Sequence, residues 1–210
     1  METWNKREFR ALCEQANNDG IRFAESLSLK YLAARDYHQK NILQKLEEAK
    51  AFKELSDLTC LDFEIAWELD AFMNALNSVF DLLAQLINEC LRLPRLPVEK
   101  VEFLEVSKWD VPKDIRCKVA SVAKDEWFLR IRDYCNVSKH HYAIKGDVHV
   151  EFGDPDTHTG YRTKEFDYKA RVAQCISDRE LEGCLKFVGR SVNEIGALLN
   201  HELLSRSEQS

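Results

Sequence analysis

Residues 132 to 140 concentrate side chains that could bind and polarise a phosphate group. Arg132, Asn136 and Lys139 follow one another at spacings of four and three, and His140 comes next. On a straight α-helix each residue turns about 100°, which places Arg132, Asn136 and Lys139 near one line and His140 about 80° away. A guanidinium stabilises charge on a phosphate, and an imidazole exchanges protons near neutral pH. The pattern therefore indicates phosphate chemistry on one helix face.

The same residues also have a structural interpretation. Cations at the end of a helix, here Lys139, His140 and His141, stabilise its unpaired carbonyl groups by about 0.3 to 1 kcal/mol. The other side of this helix carries Ile131 and Tyr134, which are typical of a face that packs on a core. The residue types alone leave both interpretations open.

A family resemblance favours the chemical interpretation. Arg132, followed by Asp133 and later by His140 in a helical chain, resembles the HEPN superfamily. Its members carry an Arg next to a polar residue and then, after four to six residues, a His on the same helix. Seven residues intervene here. Residues 61 to 88 also resemble the long packing helix of many HEPN-type proteins, so the resemblance covers two helices.

The resemblance implies a metal-independent endoribonuclease that acts as a homodimer, with two motif helices facing each other across a shared cleft. The 2′-hydroxyl group of RNA attacks the adjacent phosphate. Arg132 would hold that phosphate, His140 would transfer the proton, and Asp133 would orient Arg132. The helix geometry adds Asn136 and Lys139 as substrate-binding residues, with His141 as the alternative histidine. No metal ion or cofactor is expected.

Two alternatives remain open at this stage. The chain could be a non-catalytic HEPN-like binding module, for example the helical partner in a toxin–antitoxin or antiviral defence system. It could also be a structural protein-interaction bundle in which the match is coincidental. The expected partners are therefore a second copy of the chain, RNA, or an antitoxin or defence protein, with no membrane association.

The periodicity predicts a mostly α fold, a multi-helix up-and-down bundle in one domain over residues 1–210. Helices are expected over 3–18, 21–55, 60–92, 115–123, the motif segment and 177–204, and the tail 205–210 is expected to fray. Ser177 and Glu180 fit a capping box at the start of the last helix. A kink is expected near Lys124 and Asp125.

The strongest helical signal lies over residues 60–92, where Ile65, Leu69 and Phe72 begin a stripe that advances by three or four. Glu64 and Glu68 lie one turn apart and suggest a carboxylate metal site. Helical di-iron sites combine such residues with Glu-x-x-His. No histidine of this chain has a glutamate three positions earlier, which excludes that class of site.

The pattern changes after residue 142, and an insert of about 143–169 is expected to form a small β-hairpin. Val148, Val150 and Phe152 alternate with polar residues, and the alternation returns over residues 162–168. A hairpin is only marginally stable by itself, so it must pack on the helices.

Charge and cysteine content limit the possible partners and the cellular compartment of the protein. The 210 residues carry 30 basic and 36 acidic side chains, a net charge of −6, which argues against a generally basic nucleic-acid-binding surface. Only the segment 94–142 has a positive net charge, with 10 basic and 8 acidic side chains. None of the seven cysteines forms a Cys-x-x-Cys pair, and no signal peptide or long apolar run is evident, so a reduced, cytoplasmic protein is expected.

Overall fold

The computed structural model describes residues 4–50, 55–92, 101–141, 143–150, 159–168, 171–173 and 176–208. Within these ranges the α-helices are α1 (Lys6–Ala16), α2 (Gly20–Asp36), α3 (Leu43–Ala49), α4 (Leu55–Leu91), α5 (Phe103–Val106), α6 (Lys113–Ala123), α7 (Glu126–His140) and α8 (Asp178–Ser207). The strands are β1 (Gly146–Val150), β2 (Thr159–Thr163), β3 (Phe166–Tyr168) and β4 (Arg171–Ala173). The prediction of a mostly helical fold with β structure before the last helix is confirmed, whereas a HEPN-like bundle remains a prediction.

The chain forms two compact units, each built from separate stretches of sequence. The first unit contains Met1–Tyr31, Ser78–Phe128 and Phe187–Ser210, and the second contains Leu32–Asn77 and Leu129–Lys186. Each unit has its own buried residues.

An aromatic cluster lies at the centre of the first unit. The ring of Phe80 contacts those of Phe103, Phe128 and Phe187, with centroid distances of 5.2, 4.9 and 6.1 Å. Its edge-on contact with Phe128 is a geometry that aromatic pairs prefer. All four rings are buried, so Phe80 links α4 to α5, to the start of α7 and to α8.

The second unit packs around the first half of α4. Ile65, Leu69 and Phe72 are buried on one side of that helix, as the stripe predicts. The carboxylates of Glu64 and Glu68 bind Lys45 and Asn41, with the amide of Asn41 2.7 Å from Glu68. These two glutamates thus hold the preceding helical segment on α4 instead of facing each other.

The helix predicted over 21–55 is interrupted by a π-helical segment, Tyr37–Ile42, which lies between α2 and α3. The buried residues Ala34, His38, Ile42 and Leu46 are each four positions apart. On an α-helix such a repeat drifts by about 40° per step, or about 120° over three steps. A π turn holds more residues than an α turn, and this allows the four side chains to remain on one buried side.

The insert before α8 contains two hairpins instead of the predicted one. β1 pairs with β2 in antiparallel register, with Val148 opposite Tyr161, and β3 pairs with β4. The expected single strand over 162–168 is wrong because the amide of Thr163 donates to the carbonyl of Ile176 at 2.9 Å, which directs the chain away from β1. A turn is predicted over 153–160; residues 151–158, which include Phe152, lie outside the described residues, and Thr159 and Gly160 belong to β2.

Helix ends follow the sequence signals closely. The expected kink at Lys124 and Asp125 is a full break between α6 and α7, where Asp125 accepts a hydrogen bond from the amide of Trp127 at 3.0 Å. Glu180 accepts from the amide and hydroxyl groups of Ser177 at 2.9 and 3.0 Å, as the capping box predicts. The tail differs from expectation, because α8 continues to Ser207.

Replacing Phe80 with alanine tests the aromatic cluster of the first unit. The change removes three ring contacts and leaves a cavity, so we expect the free energy of unfolding to fall by about 3 to 5 kcal/mol. Urea denaturation followed by circular dichroism measures it. Leu29→Ala is the matched control, because Leu29 is 67% exposed and its removal should change stability by less than about 0.5 kcal/mol. Equal losses in both variants would contradict this core.

Candidate functional site

A cleft of about 620 Å³ lies in the second unit, among α4, α7, the segment leading into β1, and Lys164 after β2. Its volume lies within the range of roughly 300 to 1,000 Å³ that is typical of sites for small ligands. Asp62, Phe63, Trp67 and Asp70 line it from α4.

The walls of the cleft are largely aromatic and aliphatic. Phe63 and Trp67 lie one turn apart on α4, and 57% and 75% of their surfaces are exposed. Tyr134 of α7 and Ile144 before β1 are buried beside them. Large aromatic side chains that stay this exposed offer flat apolar surfaces to a ligand.

Three carboxylates line the same cleft, and each has a partner within the protein. Asp70 accepts a short hydrogen bond from the hydroxyl of Ser138 and a second one, at 3.0 Å, from the amide of Asn74. Asp62 accepts from the backbone amide of Val148 at 2.6 Å. Asp147 forms an ion pair with Lys164 at 3.3 Å.

Burial changes the protonation of several groups around the cleft. Desolvation raises the pKa of Asp62 above its ordinary value of 3.8, and the negative charge of Asp147 adds to the effect although the Val148 amide opposes it. Desolvation and nearby Asp70 raise the pKa of Tyr134, so its hydroxyl is neutral at physiological pH. The buried Tyr161 hydroxyl has no hydrogen-bond partner among the described residues.

The predicted phosphate-binding residues lie elsewhere on α7. The guanidinium of Arg132 donates to one oxygen of Asp133, at 3.0 Å from Nη2 and 3.3 Å from Nε. Asp133 is buried, and 24% of the Arg132 side chain is exposed. The structure thus brings together the arginine and the carboxylate that was expected to orient it.

The remaining predicted residues are distributed over the last turns of α7. Asn136 is half-buried, whereas Lys139, His140 and His141 are exposed. Along the helix axis Arg132 and His140 are about 12 Å apart, since each residue advances 1.5 Å. None of the six predicted residues lines the cleft.

The helical period explains this separation. Tyr134 and Ser138 line the cleft, and they follow Arg132 by two and six positions, or about 200° and 240° around α7. The sequence analysis missed the cleft residues of α4. Phe63 and Trp67 fall outside the apolar stripe that contains Ile65 and Leu69, and two large aromatic residues on an otherwise polar face were the signal that could have identified them.

No group of three or more His, Cys, Asp or Glu side chains in the described part of the chain is arranged to hold a metal ion. None of the described helices combines the length and apolar content that crossing a bilayer requires.

Comparison of the chain with protein-family models, with curated proteins and with solved structures finds no match. Any assignment of function therefore rests on the residues and their geometry.

The pKa shift of Asp62 can be tested with Asp62→Asn. Because its folded-state pKa is raised, the wild-type protein loses stability relative to the variant as pH rises from about 4 through the raised pKa. The difference should be small, since this carboxylate is substantially solvated. Thermal denaturation of both proteins from pH 4 to 7 measures it, and a constant difference across this range would contradict the shift.

Proposed function

We propose that the protein is an RNA-binding module, and that the cleft between α4 and α7 takes one nucleotide of a single strand. The observation that carries the proposal is the exposure of Trp67 and Phe63 at a cleft that also presents lysines. A non-catalytic HEPN-like binding module was one of the alternatives that the sequence left open, and the residues of this cleft had no part in it.

The aromatic residues supply the base-binding part of this proposal. Every nucleobase has a flat face that stacks on an aromatic ring, and each stacked base contributes roughly 1 to 3 kcal/mol to single-strand binding. Trp67 and Phe63 offer such rings one helical turn apart. Stacking by itself discriminates little among bases, so these residues would supply affinity.

The charged residues narrow the choice of ligand. Lys145 and Lys164 line the cleft and suit a phosphate, although Asp147 already neutralises part of the charge of Lys164. An organic cation could also stack on Trp67, but it would not use Lys145, and the three carboxylates of the cleft already have partners within the protein. A nucleotide combines a stacking base with an anionic group, and base N–H groups can donate to the carboxylate of Asp62.

Binding of a short single-stranded RNA tests this function. We expect Trp67→Ala to weaken binding of a fluorescein-labelled strand of about eight nucleotides by roughly 5- to 100-fold, the loss of one stacked base. Fluorescence anisotropy in chelator measures the affinity. Leu29→Ala is the control, because it removes a similarly exposed apolar side chain from α2. Equal affinity of Trp67→Ala and wild type would refute the proposed site.

The salt dependence of binding tests the role of Lys145 separately. Loss of one phosphate contact on a single strand reduces the slope of log affinity against log salt by about 0.7, so we expect Lys145→Ala to show this reduction. Lys30→Ala removes an exposed lysine of α2 and should leave the slope unchanged.

A second candidate function is the HEPN-type ribonuclease, favoured by the hydrogen bonds between Arg132 and Asp133. An arginine held in this way is preorganised for a phosphate. Arg132 and His140 are about 12 Å apart along α7, too far to contact the same phosphate oxygen within one chain. This mechanism therefore requires the homodimer that the resemblance implies. The two copies of α7 would then contribute to one cleft.

RNA cleavage in chelator tests the second candidate. If it operates, His140→Ala should lower the rate by about 10² to 10⁴, the usual contribution of a proton-transferring group, and Arg132→Lys should also lower it because lysine lacks the guanidinium fork. His141→Ala shows which histidine acts, and His201→Ala serves as an exposed control on α8. Cleavage that requires a metal ion, or that survives both changes, would exclude this mechanism.

A further inference from the structure

Two buried thiols meet in the first unit, where the end of α1 packs on the end of α4. Cys13 is fully buried in the penultimate turn of α1, and Cys90 is 3% exposed in the last turn of α4. Both sulfur atoms lie beside the same residue, Gly20. Both cysteines are in the free thiol form.

Gly20, the first residue of α2, closes over this thiol pair. A methyl group on Gly20 would lie 2.9 Å from each of the two sulfur atoms. The sulfur atoms of Cys13 and Cys90 are therefore at most twice that distance apart, 5.8 Å. The α1–α2 turn therefore covers the sulfurs closely, and only a hydrogen atom fits at this position.

The same turn is held on α4 by residues that flank Cys90. Glu89 accepts a hydrogen bond from the amide of Asp19 at 3.2 Å, and Arg92 donates to the carbonyl of Ala16. These contacts fix the backbone on either side of the thiols. The two cysteines are thus kept near each other although 77 positions separate them in sequence.

We propose that Cys13 and Cys90 are a redox modification site, which a hydroperoxide converts into a disulfide that links α1 to α4. The proposal is independent of RNA binding, because neither cysteine belongs to the cleft.

The chemistry balances with hydrogen peroxide as the oxidant. The Cys13 thiolate attacks one peroxide oxygen, so that an S–O bond forms, the O–O bond breaks, and the leaving hydroxide takes up a proton as water. The Cys90 thiol then attacks the Cys13 sulfur, an S–S bond forms, the S–O bond breaks, and the thiol proton joins the leaving hydroxide as a second water. Two thiols lose two electrons and two protons, and one peroxide is reduced to two waters.

The direction of this reaction follows from the environment of the two sulfurs. The hydrogen bond donated by the Cys90 thiol lowers the pKa of Cys13, while burial opposes this effect. The same bond, together with desolvation, raises the pKa of Cys90. Cys13 is therefore the first nucleophile, and Cys90 is the thiol that resolves the sulfenic acid.

The experiment uses the full chain with Cys60→Ser and Cys117→Ser, because both of those thiols are exposed and could form bonds between molecules. After treatment with hydrogen peroxide we expect the mass of the protein to be about 2 Da lower. After alkylation of the remaining thiols in denaturant and digestion, we expect a peptide pair joined through Cys13 and Cys90. The melting temperature should rise by roughly 5 to 15 °C, as expected for a cross-link that closes a long loop. Addition of a reducing thiol should reverse the change.

Two variants separate this pair from general oxidation. Cys90→Ala removes the second sulfur and also the hydrogen bond that lowers the pKa of Cys13, so peroxide should give neither the joined peptide pair nor the rise in melting temperature. Cys184→Ala removes a lone buried thiol, whose pKa burial raises to about 12, and should leave the cross-link intact. The proposal would be overturned by peroxide-treated parent protein in which Cys13 and Cys90 are both alkylated, or in which each is oxidised without a bond between them. Neither measurement on the parent protein depends on the variants folding.

Discussion

The hydrogen bond from Ser138 to Asp70 fixes the orientation of α7 beside α4 in the second unit. Asp70 also holds the amide of Asn74 on its own helix, so its carboxylate is kept in place from both sides. A charge-assisted hydrogen bond of this kind is stronger than a neutral one. Together with the burial of Ile131, Tyr134 and Val137, it sets which side of α7 faces the cleft.

With α7 held in this way, two chemical environments lie on opposite sides of one helix. The side with Tyr134 and Ser138 faces aromatic rings and the carboxylates of the cleft. The other side presents Arg132, tied to Asp133, and leads to the exposed histidines at the helix end. The first side is shaped for holding a ligand within one chain, whereas the second requires a further surface opposite it before its arginine and histidine can act together.

Local features of the fold could be predicted from the sequence. The stripe from Ile65 to Leu69 and Phe72 is buried as expected, and Glu180 caps the last helix through Ser177. These features depend on residues a few positions apart, where helical period and capping chemistry decide the outcome. The alternation over 162–168 was misleading, because a contact with Ile176 ends the pairing with β1.

The candidate sites depend on contacts between distant residues, which no local pattern reports. The cleft joins Trp67 to Tyr134 and Lys164, and the thiol pair joins positions 13 and 90. Cys90 is one of the buried residues of α4, and its position on that helix contains no information about Cys13. Only the tertiary arrangement brings such residues together.

The π-helical segment Tyr37–Ile42 gives this stretch room for one residue more than a regular α-helix would hold. Leu46 follows Ala34 by twelve positions, which on a regular α-helix would turn it by about 120°, whereas eleven positions would turn it by only about 20°. Deleting one residue of the segment would therefore restore a regular α-helix with Leu46 still on the buried side. The length of this stretch can thus change by one residue without changing which side of the following helix is buried.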